Sequence, residues 1–255
     1  MSTAMTVTEL WRHPVKSLQG ERVAAARIFT DGVDGDRTWG IRDMATGRVL
    51  TARRAPVLLE AAATIDADGV PTVALPDGTT VTGPGRDTDA ALSTWLGSDV
   101  TLVSSTAVPP ACAEFFADAT DDDSEPIEWT MPPGRFVDAM PILLLTTASL
   151  RTAAILHPDG RWDTRRFRPN VVVDVAGDGF MEDGWCHRPV RIGSVELVPR
   201  QPCIRCTMVT RPQPGLDRDL DVYRALACHH GGTFGVWSEV TRPGTMTVSD
   251  AVEIG

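Results

Sequence analysis

The clearest indication of the fold is the segment RVAAARIFTDGVDGDRTWGIRD, residues 22–43. Two short runs of alternating apolar and polar residues flank DGVDG, whose residue types are typical of turns. Alternation with a period of two places the apolar side chains on one face of a strand. The segment therefore predicts two β-strands that are joined by a tight turn.

The same pattern continues through the first half of the chain, from residue 5 to about residue 105. Further short runs recur between turn residues, namely TVTELW, VLLEAAATIDA and VPTVAL. This spacing predicts a sheet or a small barrel. One helix interrupts it at TDAALSTWL, where we expect Asp87 to cap the N-terminus and Gly97 to end the helix.

An acidic segment, FADATDDDSEPIE at residues 116–128, is predicted to be a solvated linker. We therefore divide the chain into an N-terminal β-rich domain, residues 1–115, and a C-terminal domain, residues 116–255. Strand-like runs follow at PILLLTT, VVVDVAG, VELVP and TMTVSDAVEI, and helical patterns occur at ASLRTAAILH and DVYRALACHH. The predicted class is β-dominated α+β, with a β-rich, barrel-like N-terminal domain and a mixed but β-dominated C-terminal domain that has a few helices.

Composition and charge narrow the functional class. The formal net charge of −10 repels nucleic-acid phosphates and anionic membranes, so neither is expected as a partner. The sequence shows neither a signal peptide nor a run of 18 apolar residues, and a cytoplasmic location is expected. In that compartment thiols stay reduced, so the five cysteines are expected to serve a metal, catalysis or packing rather than disulfides.

Cys203 and Cys206 stand three positions apart in RQPCIRCTMVT, residues 200–210. A thioredoxin-type redox pair requires this motif to open a helix, whereas the following Thr207–Thr210 segment is β-prone. A second interpretation is a structural zinc site, for which Cys228, His229 and His230 could supply the further ligands.

The third interpretation is a thiolate ligand for a redox metal, with cations that hold an anionic cofactor. Of the 24 basic residues only Lys16 is a lysine, which suggests a position where a compact ammonium is needed. The candidate anion-binding residues are Lys16 and Ser17 in HPVKS, Arg37 in GDRTW, and the cluster Arg165, Arg166 and Arg168.

Six motifs occur in order, namely HPVKSLQG, GDRTWGIRD, RFVDAMPILLLTTASL, RFRPNVVVD, PCIRCTMVT and GGTFGVW. Over residues 9–254 this series resembles that of proteins in which a MOSC N-terminal β-barrel domain precedes a MOSC domain. The family includes the mitochondrial amidoxime-reducing components and bacterial hydroxylaminopurine reductases. The resemblance implies a barrel-based MOSC domain and a molybdenum–molybdopterin cofactor in the cleft between the domains.

The resemblance also implies roles for individual residues. Cys206 matches the molybdenum ligand and Asp138 a loop near the metal, so both are expected to be catalytic, while Cys203 would be only a neighbour. The residues that match cofactor contacts are Lys16, Ser17, Arg37, Ala139, Arg168, Ile204, Arg205 and Trp237. Two of these depart from the amidoxime-reducing members, because Ala139 replaces a threonine and Trp237 a tyrosine.

The implied activity is the reduction of small N-hydroxylated compounds, such as hydroxylamines, amidoximes and N-hydroxylated bases, to amines. The chain ends at Gly255 without the iron–sulfur domain of some bacterial members, so a separate electron donor of the ferredoxin or flavin reductase type is expected. Two alternatives stay open. One is a sulfur carrier with a Cys206 persulfide, which Arg205 would favour, in metal-cofactor assembly. The other is a non-catalytic protein that zinc stabilises.

Overall fold

The computed structural model describes residues 5–107, 112–116, 118, 120, 121 and 123–255. Its strands are β1 (Thr6–Arg12), β2 (Glu21–Arg22), β3 (Ala25–Phe29), β4 (Gly32–Val33), β5 (Trp39–Asp43), β6 (Ala62–Ile65), β7 (Pro71–Ala74), β8 (Thr80–Thr82), β9 (Val100–Ser104), β10 (Cys112–Phe116), β11 (Pro126–Thr130), β12 (Ile142–Thr146), β13 (Val171–Asp174), β14 (Val190–Ile192), β15 (Val195–Ile204), β16 (Thr233–Arg242), β17 (Gly244–Thr247) and β18 (Val252–Ile254). The α-helices are α1 (Arg86–Leu96), α2 (Thr147–Leu156) and α3 (Leu220–His230). The predicted β-dominated class is confirmed.

The largest sheet has eight strands in the order β18-β14-β15-β16-β12-β13-β1-β2. Only the β12–β13 pair is parallel, and the other neighbours are antiparallel. The sheet curls on itself, since Thr6 in β1 forms a bridge with Ala251, directly before β18. The N–H of Val7 also donates to the carbonyl of Asp250 at 3.0 Å. This curvature encloses an apolar core.

Strands from the start of the chain complete the sheets of its second half. In β1, Leu10 pairs with Val171 of β13, and β3 pairs with β17. The side chains of Val7, Leu10, Ile28 and Val33 are buried in one cluster with residues of β12 to β16. The division into two domains between residues 115 and 116 stays a prediction. Apolar side chains from both sides of this boundary pack together in the cluster just described.

The rest of the first half forms a second core. The β5–β9 pair, the β6-β7-β8 sheet and α1 enclose a cluster that includes Leu58 and Leu92. Gly97 ends α1 in the left-handed conformation at φ 67°, as predicted, because glycine adopts this conformation without steric cost. The prediction that Asp87 caps this helix is wrong, because Gly85 occupies the N-cap position. Asp87 lies in the first turn, where its negative charge interacts favourably with the helix dipole.

The segment predicted to be a linker, residues 116–128, has strands at both ends. β10 and β11 pair as an antiparallel hairpin, with Ala113 opposite Trp129. The linker prediction is wrong at these ends because residues 116 and 126–128 belong to paired strands and the side chain of Phe116 is buried. Residues 117, 119 and 122 of the segment lie outside the described residues. Among the residues described, no helix combines the length and hydropathy required to cross a bilayer.

Candidate functional site

A cavity of about 570 Å³ is lined by residues from both halves of the chain. The structure brings together in its lining all ten residues for which the resemblance implied a role, and also the candidate cation Arg166, whereas the candidate Arg165 lies outside the lining and bonds Asp163. The ten residues are Lys16, Ser17, Arg37, Asp138, Ala139, Arg168, Ile204, Arg205, Cys206 and Trp237. Their assembly from distant parts of the sequence depends on the pairing of the N-terminal strands with the second half.

Cys206 lies just beyond the end of β15, at the start of a 3₁₀ turn, Thr207–Thr210. The β-prone prediction for this turn is wrong, because the hydroxyl of Thr210 donates to the carbonyl of Thr207 at 2.7 Å and closes the turn locally. The Cys206 side chain is partly exposed and lines the cavity. The turn thus presents one accessible thiol at the cavity wall.

Cys203 has a different environment, although it also lines the cavity. Its side chain is only 3% exposed, and burial raises the pKa of the thiol to about 11. A group with this pKa is a neutral thiol at physiological pH. The two cysteines of the C-x-x-C motif are therefore inequivalent, and Cys206 is the more accessible of the two.

A charged cluster stands beside Cys206. The ammonium of Lys16 donates to the carboxylate of Asp138 at 2.6 Å and to the carbonyl of Phe136 at 2.9 Å. The guanidinium of Arg53 donates to the other Asp138 oxygen at 2.7 Å. Although burial opposes its ionisation, Arg53 and Lys16 hold the pKa of Asp138 far below its usual range. Burial lowers the pKa of Lys16, and the Asp138 carboxylate offsets part of this effect.

Arg53 is the residue of this cluster that the sequence did not reveal. It precedes a second arginine in TARRAP, and no motif distinguishes the two. Burial lowers the pKa of Arg53, but the charge of Asp138, together with the charge and a hydrogen bond of Cys206, raises it above the usual value. Arg53 thus bonds Asp138 and lines the same cavity as Cys206, the other residue that was predicted to be catalytic.

Two further arginines form a second cationic part of the lining. Arg37 pairs with Asp36, a carboxylate that is only 1% exposed. Arg168 donates through Nη1 to the carbonyl of Leu18 at 2.7 Å, whereas its buried Nη2 has no hydrogen-bond partner. Burial, and then the charge of Arg37, lower the pKa of Arg168 to about 9. A buried donor without an acceptor is costly, so this site suits an anionic ligand.

The backbone at three of these positions has an uncommon conformation. Ser17, Arg37 and Arg168 have φ angles of 71°, 50° and 54°, in the left-handed region that favours glycine. Strained backbone of this kind is concentrated at binding sites, where the surrounding structure holds it. The hydroxyl of Ser17 accepts a hydrogen bond from the N–H of Ala52 at 3.0 Å, which fixes the Ser17 side chain.

Other arginines near the cavity have structural bonds. The guanidinium of Arg205 donates to the carbonyls of Phe234 and Phe167 at 2.6–3.0 Å, and its backbone N–H donates to Gly232. Because the backbone N–H of Arg205 is already bonded, only its carbonyl group is available for the predicted backbone contact with a cofactor. Arg166 likewise donates to carbonyl oxygens, including those of Val209 and Asp217.

The remaining lining is largely apolar. Ile127 and Trp129 of the β10–β11 hairpin line the cavity and are 52% and 48% exposed. Ile204, within the C-x-x-C motif, is 66% exposed, and Trp237 of β16 adds an aromatic surface. The arrangement can bind a small anionic group at its cations and an apolar group beside it.

The alternative zinc site does not assemble. Within the described part of the chain, no group of three or more His, Cys, Asp or Glu side chains is arranged to hold a metal ion. His230 instead bonds Asp183 at 2.7 Å and the carbonyl of Thr233 at 2.8 Å, and Cys228 is exposed. The cavity lining contains two thiols, those of Cys203 and Cys206, and two thioethers, those of Met140 and Met208. Because Cys203 is buried, Cys206 provides the accessible thiol of this lining.

Comparison with known proteins gives consistent results along the chain. The model of the MOSC N-terminal β-barrel domain matches residues 4–122, and that of the MOSC domain matches residues 133–253. The chain is 26% identical to mitochondrial amidoxime-reducing component 1 of Mus musculus, over 97% of this chain and 81% of the mouse protein. It is 27% identical to component 1 of Homo sapiens, over 97% of this chain and 82% of the human protein.

Among solved structures, the YUAD protein from Bacillus subtilis matches all of this chain and 97% of its own, with 13% identity and a TM-score of 0.49.

Two domain models in succession cover almost the whole sequence, and they occur in the order that the six motifs predicted. The chain therefore belongs to the MOSC-domain proteins, in the form that joins a MOSC N-terminal β-barrel domain to a MOSC domain.

Proposed function

We propose that the protein is a molybdenum-cofactor-dependent oxidoreductase that reduces N-hydroxylated compounds to amines. The observation that carries the proposal is the meeting of one accessible thiol, Cys206, with Lys16, Arg37 and Arg168 in a single cavity. The names of the relatives, which are amidoxime-reducing components, agree with it. Hydroxylamines, amidoximes and N-hydroxylated bases are the substrate classes that we propose.

The residues of the cavity fit a molybdenum pterin. The unpartnered Nη2 of Arg168, with Arg37 beside it, would receive the phosphate of the pterin, because a phosphate dianion suits several charge-assisted donors. Lys16 and Ser17 would hold the polar edge of the ring system, and Cys206 would ligate the metal. When bound, this group supplies the two-electron redox chemistry of molybdenum.

The other residues of the site prepare the cavity. Because Lys16 and Arg53 hold its pKa far below the usual range, Asp138 is a fixed carboxylate rather than a proton donor. Its role is to orient both cations. By the resemblance, Ala139 and Trp237 replace a threonine and a tyrosine of the amidoxime-reducing members, so the substrate or cofactor contacts at these two positions would be made without a hydroxyl group.

The reaction requires two electrons and two protons for each N–O bond that is cleaved to an amine and water. We propose that a separate protein of the ferredoxin or flavin reductase type supplies the electrons. The acidic surface of the chain, with a net charge of −10, would favour a donor with a basic docking face. All five cysteines are free thiols, which agrees with the reducing cytoplasm as the site of action.

A second candidate function is sulfur transfer. The positive charge of Arg53, which lines the same cavity as Cys206, would also stabilise a Cys206 persulfide. In that function Cys206 would carry sulfur to a metal cofactor under assembly rather than bind a metal itself. Metal content separates the two functions.

The test is molybdenum and pterin content per chain in protein expressed with ample molybdate, together with hydroxylamine reduction by a reduced viologen dye. We expect stoichiometric molybdenum and activity in the wild type, loss of both in Cys206→Ser, and retention of both in the matched control Cys203→Ser. Wild-type protein with neither molybdenum nor activity would refute the oxidoreductase. Sulfane sulfur on Cys206 of that metal-free protein would support the sulfur carrier instead.

A further inference from the structure

His13 follows β1 directly and lies outside the cavity lining. Its side chain is only 2% exposed, and it is not among the residues that line the cavity with Arg37 and Arg168. The imidazole lies almost parallel to the indole of Trp11, with 6.1 Å between the ring centroids. A buried histidine at this place can act on the cavity only through the residues that it bonds.

Three groups of His13 bond the two segments that carry these arginines. The backbone N–H donates to one oxygen of the Asp36 carboxylate at 2.7 Å, and the other oxygen pairs with the guanidinium of Arg37. The carbonyl of His13 accepts the backbone N–H of Arg37 at 2.7 Å. The imidazole Nε2 bonds the carbonyl of Pro169, the residue after Arg168, at 3.3 Å. His13 therefore connects one arginine segment to the other.

The surroundings of the imidazole require one orientation and one protonation state. A carbonyl only accepts, so Nε2 carries the proton that bonds Pro169, and Nδ1 is left as a buried acceptor without a partner. Burial, and then the charges of Arg168 and Arg37, hold the pKa of His13 well below its usual value, so the imidazole is neutral. A side chain at Gly20 would clash with Nδ1, so this glycine leaves room for the ring.

The bonds of His13 are made where the backbone is strained. Arg37 and Arg168 have φ angles of 50° and 54°, and such conformations persist only where the surrounding structure holds them. The bond to the Arg37 N–H fixes the peptide group before Arg37, and the imidazole fixes Pro169, which follows Arg168 directly. Arg37 also donates through Nη2 to the carbonyl of Arg168 at 3.4 Å. The two guanidinium groups thus depend on one shared support.

We propose that His13 is a positioning residue that sets the guanidinium groups of Arg37 and Arg168 at the spacing needed to receive one phosphate group. The inference rests on the proposed function, in which that phosphate belongs to the pterin. Donors that are already in place when an anion arrives bind it more tightly, because less conformational freedom is lost on binding. The unpartnered Nη2 of Arg168 is such a donor, and His13 supports the segment that carries it.

The experiment compares two amides that differ in reach. In His13→Gln the amide nitrogen can take the position of Nε2 and donate to the Pro169 carbonyl, whereas the shorter side chain of His13→Asn ends near the position of Nδ1. Calorimetric titration measures the binding of inorganic phosphate to the full chain in cofactor-free form, at a temperature where circular dichroism shows folded protein. We expect His13→Asn to bind phosphate about 10-fold more weakly than wild type, which is the lower end of the loss when an outer-shell partner is removed from a metal site. His13→Gln should restore most of this affinity.

Two controls define the result. Arg168→Gln removes the unpartnered donor and should weaken phosphate binding at least as much as His13→Asn. His157→Asn is the matched control, because His157 also bonds through Nε2, to Asp219, but lies outside the cavity lining. It should bind phosphate as wild type does. A merely structural role of His13 would lower the free energy of unfolding and leave the phosphate affinity of the folded variants unchanged.

Wild-type phosphate affinity in folded His13→Asn would overturn the inference, as would equal losses in His13→Asn and His13→Gln or a wild type that binds no phosphate. If His13→Asn does not fold, His13→Phe takes its place, because it keeps a planar ring beside Trp11 without a donor. The proposed function fails separately. Wild-type protein that binds phosphate but contains neither molybdenum nor pterin after expression with ample molybdate would overturn that function and leave the role of His13 standing.

Discussion

Ser17, Arg37 and Arg168 combine a polar or charged side chain in the cavity lining with a backbone conformation that L-residues rarely adopt. The left-handed conformation costs a non-glycine residue about 1–2 kcal/mol. Three such residues line one cavity, and each was singled out from the sequence for its polar or charged side chain. The strained backbone at these three positions therefore lowers the stability of the fold where it presents polar and charged side chains to the cavity.

Arg168 allows this strain to be measured. Both Arg168→Ala and Arg168→Gly remove the guanidinium, but only glycine accepts the φ of 54° without steric cost. We expect the glycine variant to be more stable than the alanine variant by about 1 kcal/mol in urea unfolding. A more stable alanine variant would show that the backbone at this position is unstrained.

The two cysteines of the C-x-x-C motif should differ in reactivity. In cofactor-free protein at about pH 8, iodoacetamide should modify Cys206 and leave Cys203 intact, because Cys203 is buried with a pKa raised to about 11 and stays protonated. Cleavage by trypsin after Arg205 separates the two cysteines into different peptides for mass spectrometry. Equal modification of both would contradict their different environments.

Sequence alone identified the lone lysine and the arginines that stand in recognisable motifs. It did not identify Arg53, because TARRAP contains two equivalent arginines and only the turn from Thr51 to Ala55 determines which one faces inward. It also left the state of Cys203 open, since burial by distant strands sets the pKa of that thiol. Such properties depend on tertiary packing, which spacing does not contain.

Among the secondary-structure elements, the β10–β11 hairpin is the one that we expect to contact the apolar part of the proposed substrates. It places Ile127 and Trp129 in the cavity lining with about half of each side chain exposed. Exposed apolar side chains of this size at a cavity indicate a surface that an organic group can cover. The hairpin is therefore expected to select substrates by their apolar part.

Trp129→Ala should raise the KM for an N-hydroxylated substrate with a large apolar group by about 10-fold, which corresponds to about 1.4 kcal/mol. The KM for hydroxylamine itself should stay unchanged, because that substrate has no apolar group to contact the indole. The matched control is Ile155→Ala, which removes an exposed apolar side chain on α2 outside the cavity lining. Equal changes in both KM values would contradict a role of the hairpin in selectivity.

A second element with a testable property is the 3₁₀ turn Met181–Trp185, which buries Glu182 completely. One carboxyl oxygen accepts from the hydroxyls of Thr146 and Ser149, both at 2.6 Å, at the N-terminus of α2. Burial raises the pKa of Glu182 above its usual value, although the two hydroxyl groups oppose this. The folded protein therefore binds this proton more tightly than the unfolded chain.

The contribution of Glu182 to stability is complete below its unfolded pKa and is lost as the pH rises through the higher folded pKa. Glu182→Gln lacks this titration. The free energy of unfolding of the variant, relative to wild type, should therefore increase between about pH 5 and about pH 8. Urea unfolding of both proteins at the two pH values measures the difference, and a constant difference would show that Glu182 keeps a normal pKa.

The elements themselves were largely predictable. Helix α1 ends at Gly97 as expected, and the hydrophobic periodicity located α2 and α3. Local patterns failed where tertiary contacts decided the outcome, as in the hairpin within the predicted linker and the 3₁₀ turn after Cys206. The cap at Gly85 was missed because Asp87 carries a stronger capping preference than glycine.

In the molecule as a whole, the two halves are joined by strand pairing as well as by the cavity. Periodicity predicted β1 and β3 as strands, but it could not show that their partners are β13 and β17, because pairing over such distances leaves no local pattern. The four apolar residues that β1, β3 and β4 contribute to the core enclosed by the eight-stranded sheet are each worth about 1.5–3 kcal/mol when buried. Together they represent about 6–12 kcal/mol, which is comparable to the stability of a typical domain.

Residues 116–255 should therefore not fold when expressed alone. We expect a broad thermal transition and binding of a hydrophobic dye, since Val7, Leu10, Ile28 and Val33 are missing from the core. Co-expression with residues 1–115 is the matched control and should restore a cooperative transition. A sharp transition of the isolated C-terminal segment would show that it is an autonomous domain.

The pairing of Thr6 in β1 with Asp174 in β13 also has a consequence for biosynthesis. A ribosome that adds 5–20 residues per second needs on the order of 10 s to translate the chain between these partners. Throughout that interval the nascent β1 cannot pair with β13. The interval is longer for β3, because its partner β17 is translated near the end of the chain. The first strands to emerge are thus among the last to be fully paired, and until then the newly made polypeptide exposes apolar side chains that favour aggregation.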